Sequence, residues 1–140
     1  MRNNGIHSGM NQKKEKITKR IINAMSYIGV RAIAHPMGGT IGRRNDYDVD
    51  ADLIFGEAKK HNTVVEINAS PQRLDLNDIN ARRAKDIYNL NFEIGTDAHS
   101  IDGMKDMRYG VGVARRAWLT KDDVINTFSS AKFKEFIGKR

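Results

Sequence analysis

The sequence predicts an α/β fold with a parallel sheet, and three observations lead there. Stretches of helical spacing alternate with short β-type runs in the order α-β-α-β-α-β-α, the pattern of crossover connections. The three runs are Val30-Arg31-Ala32-Ile33-Ala34, Thr63-Val64-Val65-Glu66-Ile67-Asn68 and Phe92 to Thr96, each followed by a polar loop. Neither an internal repeat nor a low-complexity linker interrupts the alternation. Three strands are few for a free-standing parallel sheet covered on both faces. A full barrel of this type needs ~250 residues, and the chain has 140. Length and strand count together predict one domain that belongs to a larger fold.

Residues 1–11 are polar and glycine-containing and do not read as a strand. Ile17, Ile21, Ile22, Ala24, Met25 and Ile28 recur at helical spacing, which predicts a helix over about 12–27 that Gly29 breaks. After the first strand, His35-Pro36 stops the run and a loop rich in glycine and arginine follows. Asp48 or Asp50 can cap a helix over about 50–61 whose apolar face uses Leu53, Ile54 and Ala58. A third helix, over about 78–89, is expected to bury Ile79, Ala84, Ile87 and Tyr88. Residues 104–118 lean helical despite Gly110 and Gly112. Thr120 with Asp123 resembles a capping box. One or two short helices then close the chain on Val124, Ile125, Phe128, Phe133, Phe136 and Ile137.

Composition excludes several classes. At 39% hydrophobic and 29% charged residues the chain reads as a folded globular domain and not as a disordered one. No apolar run approaches the ~20 residues of a membrane span, so no membrane association is expected. The polar N-terminus shows no secretory signal. The absence of cysteine removes disulfides, thiolate ligands and cysteine nucleophiles, and suits the cytoplasm. The net charge of +7 is concentrated at the ends, with +5 in residues 1–20 and +3 in residues 132–140, so the body is close to neutral. Basic ends can attract phosphate backbones, but a solvated helix face is the commoner explanation.

The chemistry-bearing residues cluster after the strands. Thr96-Asp97-Ala98-His99-Ser100 puts a carboxylate and an imidazole one residue apart at a strand end, where an open α/β sheet or barrel keeps its site. These ligand types suit Zn, Mn or Fe. The alternative is that Asp97 caps a turn and His99 packs or forms a hydrogen bond. His35 follows an earlier strand at the matching end, and His7 precedes the first helix. His61, beside Lys59 and Lys60, fits a helix C-terminus instead. Arg43, in the loop after His35, and Arg73, in the next loop, suit bidentate capture of phosphate; salt bridges to Asp46, Asp48 or Asp75 are the other reading. Trp118 can stack on a base, though its spacing beside Ala114 and Leu119 favours core or interface.

Several segments occur together in a recognisable order: Ala34-His35-Pro36, Glu66-Ile67-Asn68-Ala69, Arg73-Leu74-Asp75-Leu76, Thr96-Asp97-Ala98-His99-Ser100 and Met107-Arg108-Tyr109-Gly110-Val111-Gly112. They resemble the PHP (polymerase and histidinol phosphatase) family, and more narrowly the PHP domain attached to prokaryotic family X DNA polymerases. The resemblance runs from His7 to about Leu119. It implies a distorted (β/α)7 TIM-like barrel whose mouth holds up to three divalent ions, Mn, Zn or Fe. His7, His35, Asp97 and His99 resemble four of its metal ligands. The family's early H-x-H motif and the acid, histidine and glutamate that follow it have no counterpart here. Glu66 does not match that glutamate and is expected to point away from the metals. The chain therefore resembles the C-terminal half of a PHP domain over residues 1–140, with the N-terminal half and a polymerase module as missing partners.

The resemblance implies a metal-dependent phosphoesterase, foremost a 3′-5′ exonuclease on DNA, in which a metal-activated water attacks phosphorus and Arg43 and Arg73 hold the phosphate. A small-molecule phosphatase of the histidinol-phosphate type is the second expectation. A catalytically inert fragment or DNA-binding appendage is the third, since only four of the ligands are present and the isolated chain is expected to be poorly active.

Overall fold

The computed structural model describes residues 2–5 and 12–138. Its elements are β1 (Arg2–Asn4), α1 (Lys14–Ser26), β2 (Val30–Ile33), α2 (Ala51–Lys60), β3 (Val64–Asn68), α3 (Asp78–Tyr88), β4 (Phe92–Gly95), α4 (Met107–Arg116) and α5 (Ser130–Gly138), with 3-10 turns over Asp102–Asp106 and Ile125–Thr127. The four strands form one parallel sheet in sequence order, β1-β2-β3-β4. The alternation predicted an α/β fold with parallel strands, and that is the fold.

One correction concerns β1. The polar segment Arg2-Asn3-Asn4 has no strand propensity, yet its backbone pairs with Val30, Ala32 and Ile33. Here the ladder is set by the neighbouring strand and not by the side chains.

Alternation splits the sheet into two faces. Ile33, Val65, Ile67, Phe92 and Ile94 join Ile17, Ile21, Ile54 and Phe55 in the main core, between sheet and helices. Ala32 and Val64 face the other way and are covered by Ile125 with the half-buried Phe128, Phe133 and Phe136. The closing phenylalanines therefore pack as expected, but no residue of α5 is fully buried.

Two helices turn differently from expectation. In α2, Ile54, Phe55 and Ala58 are buried while Leu53 is exposed, and the cap is Asp50, whose carboxylate accepts from the Leu53 N–H at 3.0 Å. In α3, Ile79 and Ile87 face solvent, and the small side chains Ala81 and Ala84 form the buried stripe. Tyr88 is half-buried edge-on to Phe55, centroids 5.8 Å apart. Trp118 lies outside the core at 70% exposure, with the Arg82 guanidinium 5.4 Å from its ring centre.

The outer edge of β4 is closed by the segment after α4. Phe92 N–H donates to Asp123 O, and the Asn126 side-chain amide both accepts from Ile94 N–H (2.8 Å) and donates to Ile94 O (3.0 Å). Asn126 thus supplies what a fifth strand would, and removes an unpaired edge. Only half of the Thr120–Asp123 capping box forms: the Asp123 carboxylate accepts from Thr120 N–H at 2.7 Å and Thr120 Oγ1 at 2.9 Å, but Asp123 N–H donates to Thr120 O, and a turn and the short 3-10 segment follow in place of a helix start. Among the described residues no helix is long and apolar enough to cross a membrane.

Candidate functional site

The loops that follow β2, β3 and β4 lie at the C-terminal ends of neighbouring parallel strands, so their residues share one end of the sheet. The β2 loop is held from beneath by two acidic side chains. Glu66, buried within β3, accepts from the His35 backbone N–H at 2.6 Å, and Asn68 Nδ2 approaches it at 3.4 Å. Asp75, buried in the β3 loop, accepts from Met37 N–H at 3.0 Å and Gly38 N–H at 2.7 Å. Burial pushes both carboxyls up to about 7; the hydrogen bonds they accept pull the other way.

Glu66 corrects an expectation. It does not turn away from the candidate ligands: it bonds the backbone of His35, and Asp97 lies close enough to add to the upward shift of its carboxyl. Gly95 makes room for it, since a Cβ there would stand 2.5 Å from Glu66 Oε1. Propensity gave no such hint; an acidic residue in a wholly buried strand was the one available signal.

Gly38 ties the β2 loop together. Its φ of +67° suits glycine, and a Cβ there would strike the Tyr47 ring. Its N–H goes to Asp75, and its carbonyl accepts from Arg44 Nε at 3.0 Å. His35, buried with φ +29°, heads this loop.

The β4 loop is built differently. Asp97 and His99 are both exposed, and Asp97 has φ +53°. His99 Nδ1 lies 2.7 Å from Asp97 O, so the hydrogen bond that the alternative reading gave His99 does form, which leaves the other ring nitrogen, Nε2, for a further partner. The Asp97 carboxylate lies 3.5 Å from Arg73 Nε, and Arg73 also reaches Gly39 O at 3.5 Å. Arg73 therefore links all three loops. Its ion-pair partner is Asp97, which was not among those the sequence suggested, while its charge also acts on Asp75, which was.

Arg43 and Arg73 line one polar cavity of about 500 Å³ with Thr40, Arg44 and Asp46. The antiparallel bridge Thr40↔Arg44 and the bond from Ile41 N–H to Gln72 O (2.7 Å) fix its walls. His61 closes α2 as expected, with Nε2 3.6 Å from Glu57. His7 lies outside the described residues. Among the described residues, no three histidine or acidic side chains are grouped to hold a metal ion. The donors fit a metal by type, but those described do not make a complete site.

No family model matches the chain. Over 132 residues it is 39% identical to the DNA polymerase/3′-5′ exonuclease PolX of Bacillus subtilis (strain 168), covering 94% of this chain and 23% of that protein. It is 30% identical over 132 residues to two probable phosphatases, of Thermoanaerobacter sp. (strain X514) and Thermoanaerobacter pseudethanolicus (strain ATCC 33223 / 39E), covering 90% of this chain. The chain is homologous to these proteins. It spans 51% of each phosphatase and a smaller share of the exonuclease.

Proposed function

We propose that this chain is part of a phosphoesterase of the PHP type, and that its substrate is the 3′ end of a DNA strand, as in an exonuclease that accompanies a family X polymerase. The carrying observation is the 39% identity over 94% of the chain to an exonuclease, alongside similarity to two probable phosphatases. Cleavage of a phosphoester is the activity those names share. The four-stranded parallel sheet is compatible with a segment of a TIM-like barrel, and cytoplasmic location fits the cysteine-free composition.

In this reading Arg73 and Arg43 bind phosphate oxygens from the cavity they share, each guanidinium offering a fork of donors. A phosphate arriving there competes with Asp97 for Arg73, and so frees the Asp97 carboxylate. Glu66 and Asp75 fix the His35 loop from below. Divalent ions (Mn, Zn or Fe) belong to the proposal through Asp97, His99, His35 and His7, with further donors required from elsewhere. Among the described residues the donors do not make a complete site, which favours one second reading, a chain that binds DNA and does not cleave it.

The test is release of product by the purified protein, with Mn²⁺ or Zn²⁺, from 3′-labelled single-stranded DNA and from a small phosphate monoester. Mononucleotide release above the metal-only blank, faster than monoester turnover, is expected, at a low rate for this chain alone. Preference for the monoester would assign a small-molecule phosphatase. Binding of DNA without release from either substrate would favour the second reading.

A further inference from the structure

A second cavity, of about 620 Å³, adjoins the arginine-lined one and shares Ile41, Asp46 and Arg73 with it. Its character is different. Met37, Ile41, Leu74, Tyr109 and Val113 give it apolar walls, and its size is within the range of small-molecule sites. Two of its three acidic residues are engaged, Asp75 with the backbone of Met37 and Gly38, and Asp78 with Arg116 at 2.8 Å; the third, Asp46, stands in the wall shared with the arginine-lined cavity.

Helix α4 forms one side. Arg108, Tyr109, Gly112, Val113 and Arg116 all line the cavity, at the spacing of a single helix face. The two glycines of this helix do opposite things. Gly110 is required by packing, since a Cβ there would stand 2.5 Å from Ile94 Cγ2 and 2.8 Å from Ala69 Cβ. Gly112 is required by nothing in the fold: a Cβ there meets no atom within 4 Å, and its φ is not positive. Glycine is a poor helix former, so a glycine that packing does not demand is a cost to the helix. What it does provide is an open wall on the cavity side.

Beside that opening the Arg108 guanidinium lies 4.8 Å from the centre of the Tyr109 ring, and Tyr109 is 39% exposed. A cation–ring pair at the rim of an apolar cavity is a surface on which a flat heterocycle stacks. The neighbouring cavity offers Arg43 and Arg73 to an anion. A ligand that fills both needs a phosphate next to a planar, largely apolar group.

We propose that the cavity along α4 is a nucleobase subsite, so that the site takes a nucleotide unit of a single strand, base against Tyr109 and Gly112 and phosphate against Arg73 and Arg43. The assignment of the phosphate end rests on the phosphoesterase reading. The base subsite is tested by binding alone, so a failure of hydrolysis and a failure of this proposal are distinguishable.

The experiment measures binding of a short fluorescent single-stranded DNA to the purified chain in EDTA, beside the same strand with an abasic 3′-terminal nucleotide. Wild type is expected to bind the base-bearing strand about tenfold more tightly, the scale of one stacked base. Gly112→Leu, which plugs the cavity, and Tyr109→Ala, which removes the platform, are each expected to erase that difference and to leave abasic binding unchanged. Gly112→Leu should melt no lower than wild type, and Tyr109→Ala covers the case in which it does not fold. Equal binding of the two strands by wild type, or a full preference retained by both folded variants, would overturn the subsite.

Discussion

After β2, residues 35–38 are clamped from beneath by Glu66 and Asp75, two buried carboxyls that accept three backbone N–H groups. After β4, Thr96 to Ser100 is mostly exposed, and its side chains make two local hydrogen bonds, His99 to Asp97 O and Ser100 Oγ from Gly103 N–H, and one long ion pair, Asp97 to Arg73. The two loops lie at the same end of one sheet, and both were singled out by sequence for the same chemistry. The difference separates stability from reactivity. The first loop is preorganised by groups whose loss would leave buried donors unsatisfied. The second presents its side chains to solvent and can change partners at little cost to the fold.

The comparison breaks most directly at Asp75. Asp75→Ala leaves the Met37 N–H without its acceptor and the Gly38 N–H with only the His35 carbonyl at 3.0 Å, and should cost about 1–3 kcal/mol, read by urea denaturation at pH 5. Comparable in size is a pH effect. The Asp75 carboxyl is raised from its ordinary value to about 7, so the folded state holds the proton more tightly than the unfolded state. Its contribution is therefore fully present below about pH 4 and is lost as pH rises through about 7. Urea midpoints of wild type should fall across pH 4 to 7 through Asp75 and Glu66 together, and Asp75→Asn should make that fall shallower by removing the Asp75 share.

Smaller effects sharpen the same contrast on α4. Gly110→Ala, which drives a Cβ into Ile94 and Ala69, should destabilise by about 1–3 kcal/mol. Gly112→Ala meets nothing and should stabilise by up to about 1 kcal/mol; thermal melts of the pair check both signs. The smallest effect belongs to the β4 loop. Asp97→Ala removes an exposed ion pair and should change stability by less than about 0.5 kcal/mol.

Periodicity and turn chemistry carried the α/β alternation, three of the four strands and the helix spans to within a few residues, because those signals are local. What they missed depends on tertiary partners. Arg2–Asn4 is a strand only because β2 is beside it. The buried side of α3 is chosen by a close approach that admits Ala81 and Ala84 and turns Ile79 and Ile87 outward. At the site, His35, Asp97, Arg43 and Arg73 were visible as residue types after strands. The roles of Glu66 and Gly95 were not, because one residue's side chain occupies the space that the other leaves, across two strands. The pairing of Arg73 with Asp97 joins loops 24 residues apart, beyond the reach of any local rule.

The most direct test of the central claim is mononucleotide release from 3′-labelled single-stranded DNA with Mn²⁺, comparing wild type with Asp97→Asn and His99→Ala. The account predicts release by wild type, a fall to the metal-only blank in both variants, and melting temperatures unchanged within error. Undiminished release by both variants would contradict it.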